Sequence, residues 1–68
     1  MKPIVYDRRE VALMVKVGAF FDPKFARSTG ESSVRIHRMA TGRIKPSASI
    51  LNRFNLQEKE GSYEWRAQ

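Results

Sequence analysis

The sequence predicts one mainly α-helical domain with four helices and a small terminal β element. Two patterns predict this class: apolar residues recur at helical spacing along most of the chain, and residues 62–66 alternate between polar and apolar. A chain of 68 residues forms one small core, so we treat residues 1–68 as a single domain. Such a core supplies only about 3–5 kcal/mol. Without cysteine, further stability must come from tight helix packing or a second subunit.

The first helix is predicted over residues 8–20. Asp7 is a typical N-cap, and Glu10 stands three residues later, which is the spacing of a capping box. The apolar positions that share one helix face are Val11, Met14, Val15 and Gly18. Because the segment is apolar on more than one face, we expect the helix to be well buried and the Phe20-Phe21 pair to lie in the core.

Two short helices and a tight turn are predicted over residues 22–41. The Asp-Pro pair at residues 22–23 starts the first helix, because aspartate caps a helix and proline suits its first turn. Gly30 ends this helix, since glycine adopts the left-handed conformation without strain. A serine of residues 32–33 caps the second helix, and the Thr-Gly pair at residues 41–42 ends it.

The spacing within this segment is that of a helix-turn-helix, in which two helices cross closely beside a glycine turn. Ala26 is small where the helices cross, and Gly30 stands at the turn. The residues predicted to face inward are Phe25, Ile36 and Met39.

The last third of the chain predicts a fourth helix and a strand. Pro46 opens the helix, with Ser47 as a candidate cap and an apolar set of Ile50, Leu51 and Phe54. A turn signal at residues 60–62 precedes an alternating strand at about residues 62–67. This strand could pair with the β-prone residues 4–6, with its copy in a second subunit, or with both.

Net charge favours a nucleic-acid partner. The chain has 13 basic and 7 acidic side chains, and residues 22–45 hold +4 of the net +6 (six basic, two acidic). A positive field centred on one segment is typical of a phosphate-contacting face. No apolar run approaches the ~18 residues of a membrane span. With neither a nucleophile–base pair nor a metal-ligand cluster in sight, we expect a soluble, cytoplasmic protein that is not an enzyme and has no metal, cofactor or small-molecule ligand.

The stretch FARSTGESSVRIHRMATGRIKPSASIL resembles the helix-turn-helix of the lambdoid phage repressor and Cro family. The resemblance covers residues 22–56 and is strongest in the Ala26…Gly30…Ile36 spacing and the Thr41-Gly42-Arg43…Pro46 run. Thr29 and Glu31 depart from the family pattern, which usually has apolar residues at both positions. We expect the Thr29 methyl group to face inward and the Glu31 carboxylate to swing out to solvent.

The resemblance implies a lambda-repressor/Cro-like domain that regulates transcription, acting as a repressor on a palindromic operator. It implies base contacts in the major groove from Ser33, Val34, Arg35 and Arg38. It implies phosphate contacts from Ser32, Thr41, Arg43 and Lys45. The expected partners are double-stranded operator DNA and a second copy of the chain. Tyr63 and Trp65 are expected at the dimer interface, with covering of the small core as the alternative.

Two other functions remain open. The same scaffold serves small interaction proteins, such as an antitoxin or a phage inhibitor of a host protein. Positive charge alone would support non-specific nucleic-acid binding. Salt dependence separates DNA binding from docking through an apolar face, because only DNA binding releases counterions. Competition with unrelated DNA separates specific from non-specific binding.

Overall fold

The computed structural model describes residues 3–66 and shows four helices and a three-stranded sheet. The elements in chain order are β1 (Val5–Tyr6), α1 (Arg8–Phe21), α2 (Phe25–Thr29), α3 (Ser33–Ala40), α4 (Ala48–Arg53), β2 (Leu56–Lys59) and β3 (Ser62–Trp65). The mainly α class with a small β element is therefore confirmed. Residue 67, at the end of the predicted C-terminal strand, lies outside the described residues. None of the helices within residues 3–66 has the length and apolar character needed to cross a membrane.

Helix α1 begins at the predicted capping box. The Asp7 carboxylate accepts the Glu10 backbone N–H at 2.7 Å, and the Glu10 carboxylate accepts the Asp7 N–H at 3.0 Å. The helix ends at Phe21, one residue beyond the predicted end, where the Asp22 N–H still donates to the Gly18 carbonyl at 2.9 Å. The two reciprocal bonds satisfy N–H groups that have no partner within the helix.

Helix α2 begins two residues later than the Asp-Pro signal places it. Pro23 and Lys24 form a turn in which the Asp22 carboxylate accepts the Lys24 N–H at 2.9 Å. The Phe25 N–H then donates to the Asp22 carbonyl, only three residues back, at 3.0 Å. This tighter spacing delays the first regular α-helical turn to Phe25.

Both α2 and α3 end at a glycine in the left-handed region, as predicted. Gly30 has φ 74° and Gly42 has φ 78°. In each case the glycine N–H donates to the carbonyl three residues back, and the next N–H donates to the carbonyl five residues back. This is the Schellman arrangement, which satisfies the last carbonyls of a helix and turns the chain sharply.

Serine hydroxyls cap the next two helices. The Ser32 hydroxyl accepts the Arg35 N–H at 3.2 Å, which selects Ser32 over Ser33 as the cap of α3. The Ser47 hydroxyl accepts the Ile50 N–H at 3.5 Å at the start of α4, as the sequence predicts.

The core has two parts. The larger cluster joins α1 to the α2–α3 pair and α4, through Val15, Phe25, Ile36, Met39 and Ile50. The smaller one joins α1 to the sheet, through Val11, Leu56 and Tyr63. The predicted inward residues of α2 and α3 are all buried. Thr29 is also buried, with 8% of its surface exposed, and its hydroxyl donates to the Ala26 carbonyl at 3.0 Å.

Gly18 shapes the core although its φ is not positive. A Cβ atom on Gly18 would lie 2.9 Å from the Phe25 ring, so the close approach of α1 and α2 requires glycine at this position. Ala26, the small residue that the sequence places at the helix crossing, is partly buried and packs against the same cluster.

The sheet has the order β1-β3-β2 with both pairings antiparallel. Of the pairings left open for the C-terminal strand, the structure shows the one with β1, in which Tyr6 lies opposite Tyr63. Strand β2 was not predicted, because three of its four residues are polar. The sequence signal that could have found it is the two-residue turn at Glu60 and Gly61. In the structure both turn residues have positive φ (51° and 83°), which is typical of a β-hairpin.

The expectation that Phe20 and Phe21 lie in the core is wrong, and for Tyr63 the structure shows the alternative role of covering the core. Phe20 and Phe21 are 80% and 76% exposed, because α1 buries only the side that carries Val11 and Val15. Tyr63 is 2% exposed, since β3 is the central strand and its ring packs into the smaller cluster. Tyr63 therefore covers the core and Trp65 is 43% exposed, and a dimer contact by these two residues stays a prediction.

Candidate nucleic-acid interface

Helix α3 has one buried side and one free side. Ile36 and Met39 are 6% and 1% exposed and anchor the helix in the core. On the opposite side, Val34, Arg38 and Thr41 follow each other at intervals of four and three residues, so their side chains lie in one row. All three are exposed. We call this row the α3 outer row.

Ser33 lies beside the α3 outer row rather than in it. It is exposed, but it lines a groove of about 410 Å³ between α3 and the end of α1, together with Phe20, Pro23 and His37. A ligand that contacts the α3 outer row would meet Ser33 only at its edge.

Glu31 turns inward, which corrects the expectation that it points to solvent. Its side chain is only 11% exposed. One carboxylate oxygen accepts hydrogen bonds from the hydroxyls of Ser47 at 2.6 Å and Ser49 at 2.8 Å. The other accepts the Nε–H of Arg35 at 2.7 Å. A polar residue is accommodated here because the start of α4 supplies two hydroxyl donors that the sequence alone does not place near residue 31.

These contacts fix the charge of Glu31. Hydrogen bonds from Ser47 and Ser49, with a further contribution from Arg35, hold the pKa of the Glu31 carboxyl below its ordinary value of 4.5. The carboxylate therefore stays ionised at neutral pH and maintains its ion pair with Arg35.

The two arginines of α3 are thus in different states. Arg35 is bound by Glu31 on its own side of the helix. The four ion pairs within residues 3–66 involve Arg35, Lys45, Arg53 and Lys59, and none of them includes Arg38. Among residues 3–66 the Arg38 guanidinium has no ion-pair partner, so its donors can serve an external acceptor, whereas Arg35 already donates its Nε–H to Glu31.

The expected phosphate contacts occupy the two ends of α3. Ser32 is exposed at the start, where its oxygen caps the helix and leaves its O–H as a donor. Thr41 at the end donates its hydroxyl to the carbonyls of His37 and Arg38. Arg43 is exposed in the following loop, while the Lys45 Nζ lies 3.9 Å from the Glu58 carboxylate. Arg43 is therefore the freer of the two cationic residues in that loop.

Three basic residues of α1 join this side of the molecule, and sequence reasoning missed them. Arg8, Arg9 and Lys16 line a groove of about 690 Å³ with Thr41 and Gly42, at the C-terminal end of α3. The Arg8 guanidinium donates to the Gly42 carbonyl at 3.2 Å. Arg9 and Lys16 are seven residues apart and so share one face of α1, which is the signal that could have found them.

Of the seven acidic residues, Glu31 and Asp22 pair with Arg35 and Arg53, Asp7 and Glu10 cap α1, and the other three lie in the hairpin. Glu58, Glu60 and Glu64 belong to the β2–β3 hairpin, and two of them pair with Lys45 and Lys59. The side that carries α3 and the basic face of α1 is therefore positive, and the hairpin side is not. This distribution suits a polyanion that lies along α3.

No family model matches this chain, and neither a curated protein nor a solved structure is significantly similar to it.

Proposed function

We propose that the protein binds double-stranded DNA in a sequence-specific manner, as a helix-turn-helix transcription regulator of the phage repressor and Cro type. The observation that supports the proposal most directly is the α3 outer row. The row lies on a helix whose opposite side is buried, and the Gly30 turn fixes the orientation of this helix relative to α2. An α-helix of about 10–12 Å diameter fits the major groove, which is about 12 Å wide.

Two members of the α3 outer row, Arg38 and Val34, have a chemically suitable target on the base edges. The free guanidinium of Arg38 can donate two hydrogen bonds to guanine O6 and N7, the commonest specific contact in the major groove. Val34, 57% exposed, can pack on a thymine methyl group. Arg35 contributes through its remaining donors, held in place by Glu31.

The surrounding cations supply affinity and register. Arg43 follows α3, and Arg8 and Arg9 approach the same end of the helix from α1. Contacts from such residues to phosphates position a protein on the duplex without reading sequence. A domain of this size represses transcription by occupying an operator that polymerase must use.

The exposed apolar residues of α1 favour a second candidate function, which is docking to another protein, as an antitoxin or phage inhibitor would do. The two functions respond differently to salt. If four to six cations contact phosphates, log K for DNA falls with log salt concentration with a slope of about −4 to −5. Docking through apolar surface has little such dependence.

The experiment is a fluorescence anisotropy titration of labelled duplex DNA over a range of salt concentrations, repeated with unlabelled unrelated DNA as competitor. The proposal expects log K to fall steeply with salt, and it expects unrelated DNA to displace the protein only partly from the labelled DNA. A flat salt dependence would favour the docking function. A steep slope together with complete displacement by unrelated DNA would show that the protein binds DNA without sequence specificity.

A further inference from the structure

One side of α1 leaves large apolar residues in water. The residues of this surface, which we call the α1 outer face, are Leu13, Val17, Phe20 and Phe21, exposed by 59%, 48%, 80% and 76%. Their spacing places them on one side of the helix. The two phenyl rings contact each other edge to face, with centroids 5.0 Å apart and planes at 80°. A contiguous patch of this kind marks an interaction site more often than a chance exposure.

The patch continues into the body of the molecule. A shallow apolar groove of about 380 Å³ runs beside Leu13 and Val17, lined also by Met14, Gly18 and Phe54. A side chain that projects from a second helix lying on the α1 outer face would enter this groove.

We propose that a second copy of this chain covers the α1 outer face, with the two α1 helices antiparallel and crossing at Val17. Leu13 and Phe21 lie four residues on either side of Val17. An antiparallel crossing therefore places each Leu13 against Phe21 of the partner subunit, so the surface is complementary to itself, as a two-fold interface requires.

The area is sufficient for a weak dimer. Fully exposed aromatic side chains offer about 150–250 Å² each, so the two phenyl rings contribute roughly 250–400 Å². With the half-exposed Leu13 and Val17, each copy can bury about 500 Å². The total of about 1,000 Å² lies at the lower limit for a specific interface.

The orientation rests on the proposed function, because two recognition helices must face the same duplex. Arg9 and Lys16 lie on the flank of α1 that borders α3. A two-fold axis perpendicular to the α1 helices keeps both copies of α3 on one side and makes the helices antiparallel. An axis parallel to the helices would place the two α3 helices on opposite sides.

This arrangement has an electrostatic consequence. The antiparallel crossing at Val17 brings Lys16 of one copy next to Lys16 of the other, so these two ammonium groups repel each other, whereas the two Arg9 positions stay about 24 Å apart along the helices. Dimerisation of the free protein is therefore opposed at low salt and is favoured when salt or phosphate groups screen the repulsion. The dimer forms most readily on DNA.

The test uses the full chain without DNA, so that it does not depend on DNA binding. Sedimentation equilibrium is measured at about 0.1 M and about 1 M salt, between which the screening length falls from about 10 Å to about 3 Å. The wild-type protein should be more dimeric at the higher salt. Val17→Lys places a charge at the crossing point and should weaken the dimer at high salt about tenfold or more.

The chain offers a matched control. Val5 is 49% exposed, against 48% for Val17, but lies on β1, so Val5→Lys should leave dimerisation unchanged. Circular dichroism verifies that both variants fold. Monomers at both salt concentrations, a dimer that weakens with salt, or equal effects of the two substitutions would overturn the inference. A dimer that shows these effects but does not bind DNA would overturn the proposed function alone.

Discussion

Arg35 and Arg38 lie three residues apart on the same helix, but in the part of the chain that the structure describes only Arg35 has an ion-pair partner. Glu31 binds Arg35 at 2.7 Å, and none of the ion pairs within residues 3–66 includes Arg38. We therefore expect Arg38 to read a base directly. Arg38→Ala should cost about 1–3 kcal/mol on a preferred site and relax specificity at one base pair, with a smaller effect on unrelated DNA.

The control for charge alone is Lys59→Ala, which removes one positive charge from the hairpin, where the lysine pairs with Glu64 at 3.7 Å. Anisotropy titrations should show the same affinities for this variant and for the wild type. If Arg38→Ala weakens preferred and unrelated DNA equally, Arg38 contacts a phosphate and the assignment is wrong.

Glu31 connects the turn after α2 to the start of α4. Removing its three contacts by Glu31→Ala should lower the free energy of unfolding at pH 7 by about 1–3 kcal/mol, as for hydrogen bonds to a partly buried charged group. Urea denaturation followed by circular dichroism measures this loss. Glu60→Ala on the exposed hairpin turn should have little effect, and equal losses in the two variants would show that the Glu31 contacts do not stabilise the fold.

The pH dependence of stability follows from the same carboxylate. Because the folded-state pKa of Glu31 lies below its ordinary value of 4.5, the unfolded state binds the proton more readily. The stabilisation is complete above pH 4.5 and is lost as the pH falls through the folded-state pKa. Glu31→Gln should therefore lose less stability than the wild type between pH 5 and acid conditions; parallel losses would contradict this account.

At the scale of the elements, two glycines control the packing of α2 for different reasons. Gly30 has φ 74°, where a side chain is strained, although a Cβ atom there would meet nothing within 4 Å. Gly18 has no positive φ, but its Cβ would meet the Phe25 ring at 2.9 Å. Gly30→Val and Gly18→Val should each destabilise the fold by about 1–3 kcal/mol.

Asparagine distinguishes the two causes. It tolerates the left-handed conformation, so Gly30→Asn should melt close to the wild type, whereas Gly18→Asn should melt much lower because its Cβ still meets Phe25. Thermal melts followed by circular dichroism test this. Normal melting of both Gly30→Val and Gly18→Asn would mean that α2 is not packed as described.

The parts of the fold that could be predicted are those that local chemistry determines. The capping box at Asp7, the serine cap of α4 and the glycine ends of α2 and α3 each depend on residues within five positions of one another. The unpredicted parts depend on distant partners. Glu31 meets Ser47, 16 positions away, and the polar strand β2 is recognisable only through its pairing with β3.

The site divides in the same way. Helical spacing alone predicts that Val34 and Arg38 lie in one row, because both belong to one helix. It does not show that Glu31 holds Arg35, or that Arg8 reaches the Gly42 carbonyl 34 positions away. The exposure of Phe20 and Phe21 could not be predicted either, since apolar character indicates burial and only the packing of α1 decides which side is covered.

At the scale of the whole molecule, charge separates the α3 side from the hairpin side. Arg43→Ala should lower the salt slope of DNA binding by about one, because one fewer counterion is released. Lys45→Ala should have a smaller effect, since Glu58 lies 3.9 Å from its amine. Lys59→Ala should leave the slope unchanged. Unchanged slopes for both Arg43→Ala and Lys45→Ala would place the loop after α3 away from DNA.

If α3 reads sequence in a major groove, selection of bound sites from a random pool of duplex DNA should enrich one preferred sequence. One copy measures 35 × 25 × 18 Å, and the proposed dimer would place two copies on one operator. We expect a palindromic consensus with half-sites about 10 bp apart, and loss of preference at one guanine in Arg38→Ala. Recovery of the input pool without enrichment, or a consensus that Arg38→Ala does not change, would contradict this expectation.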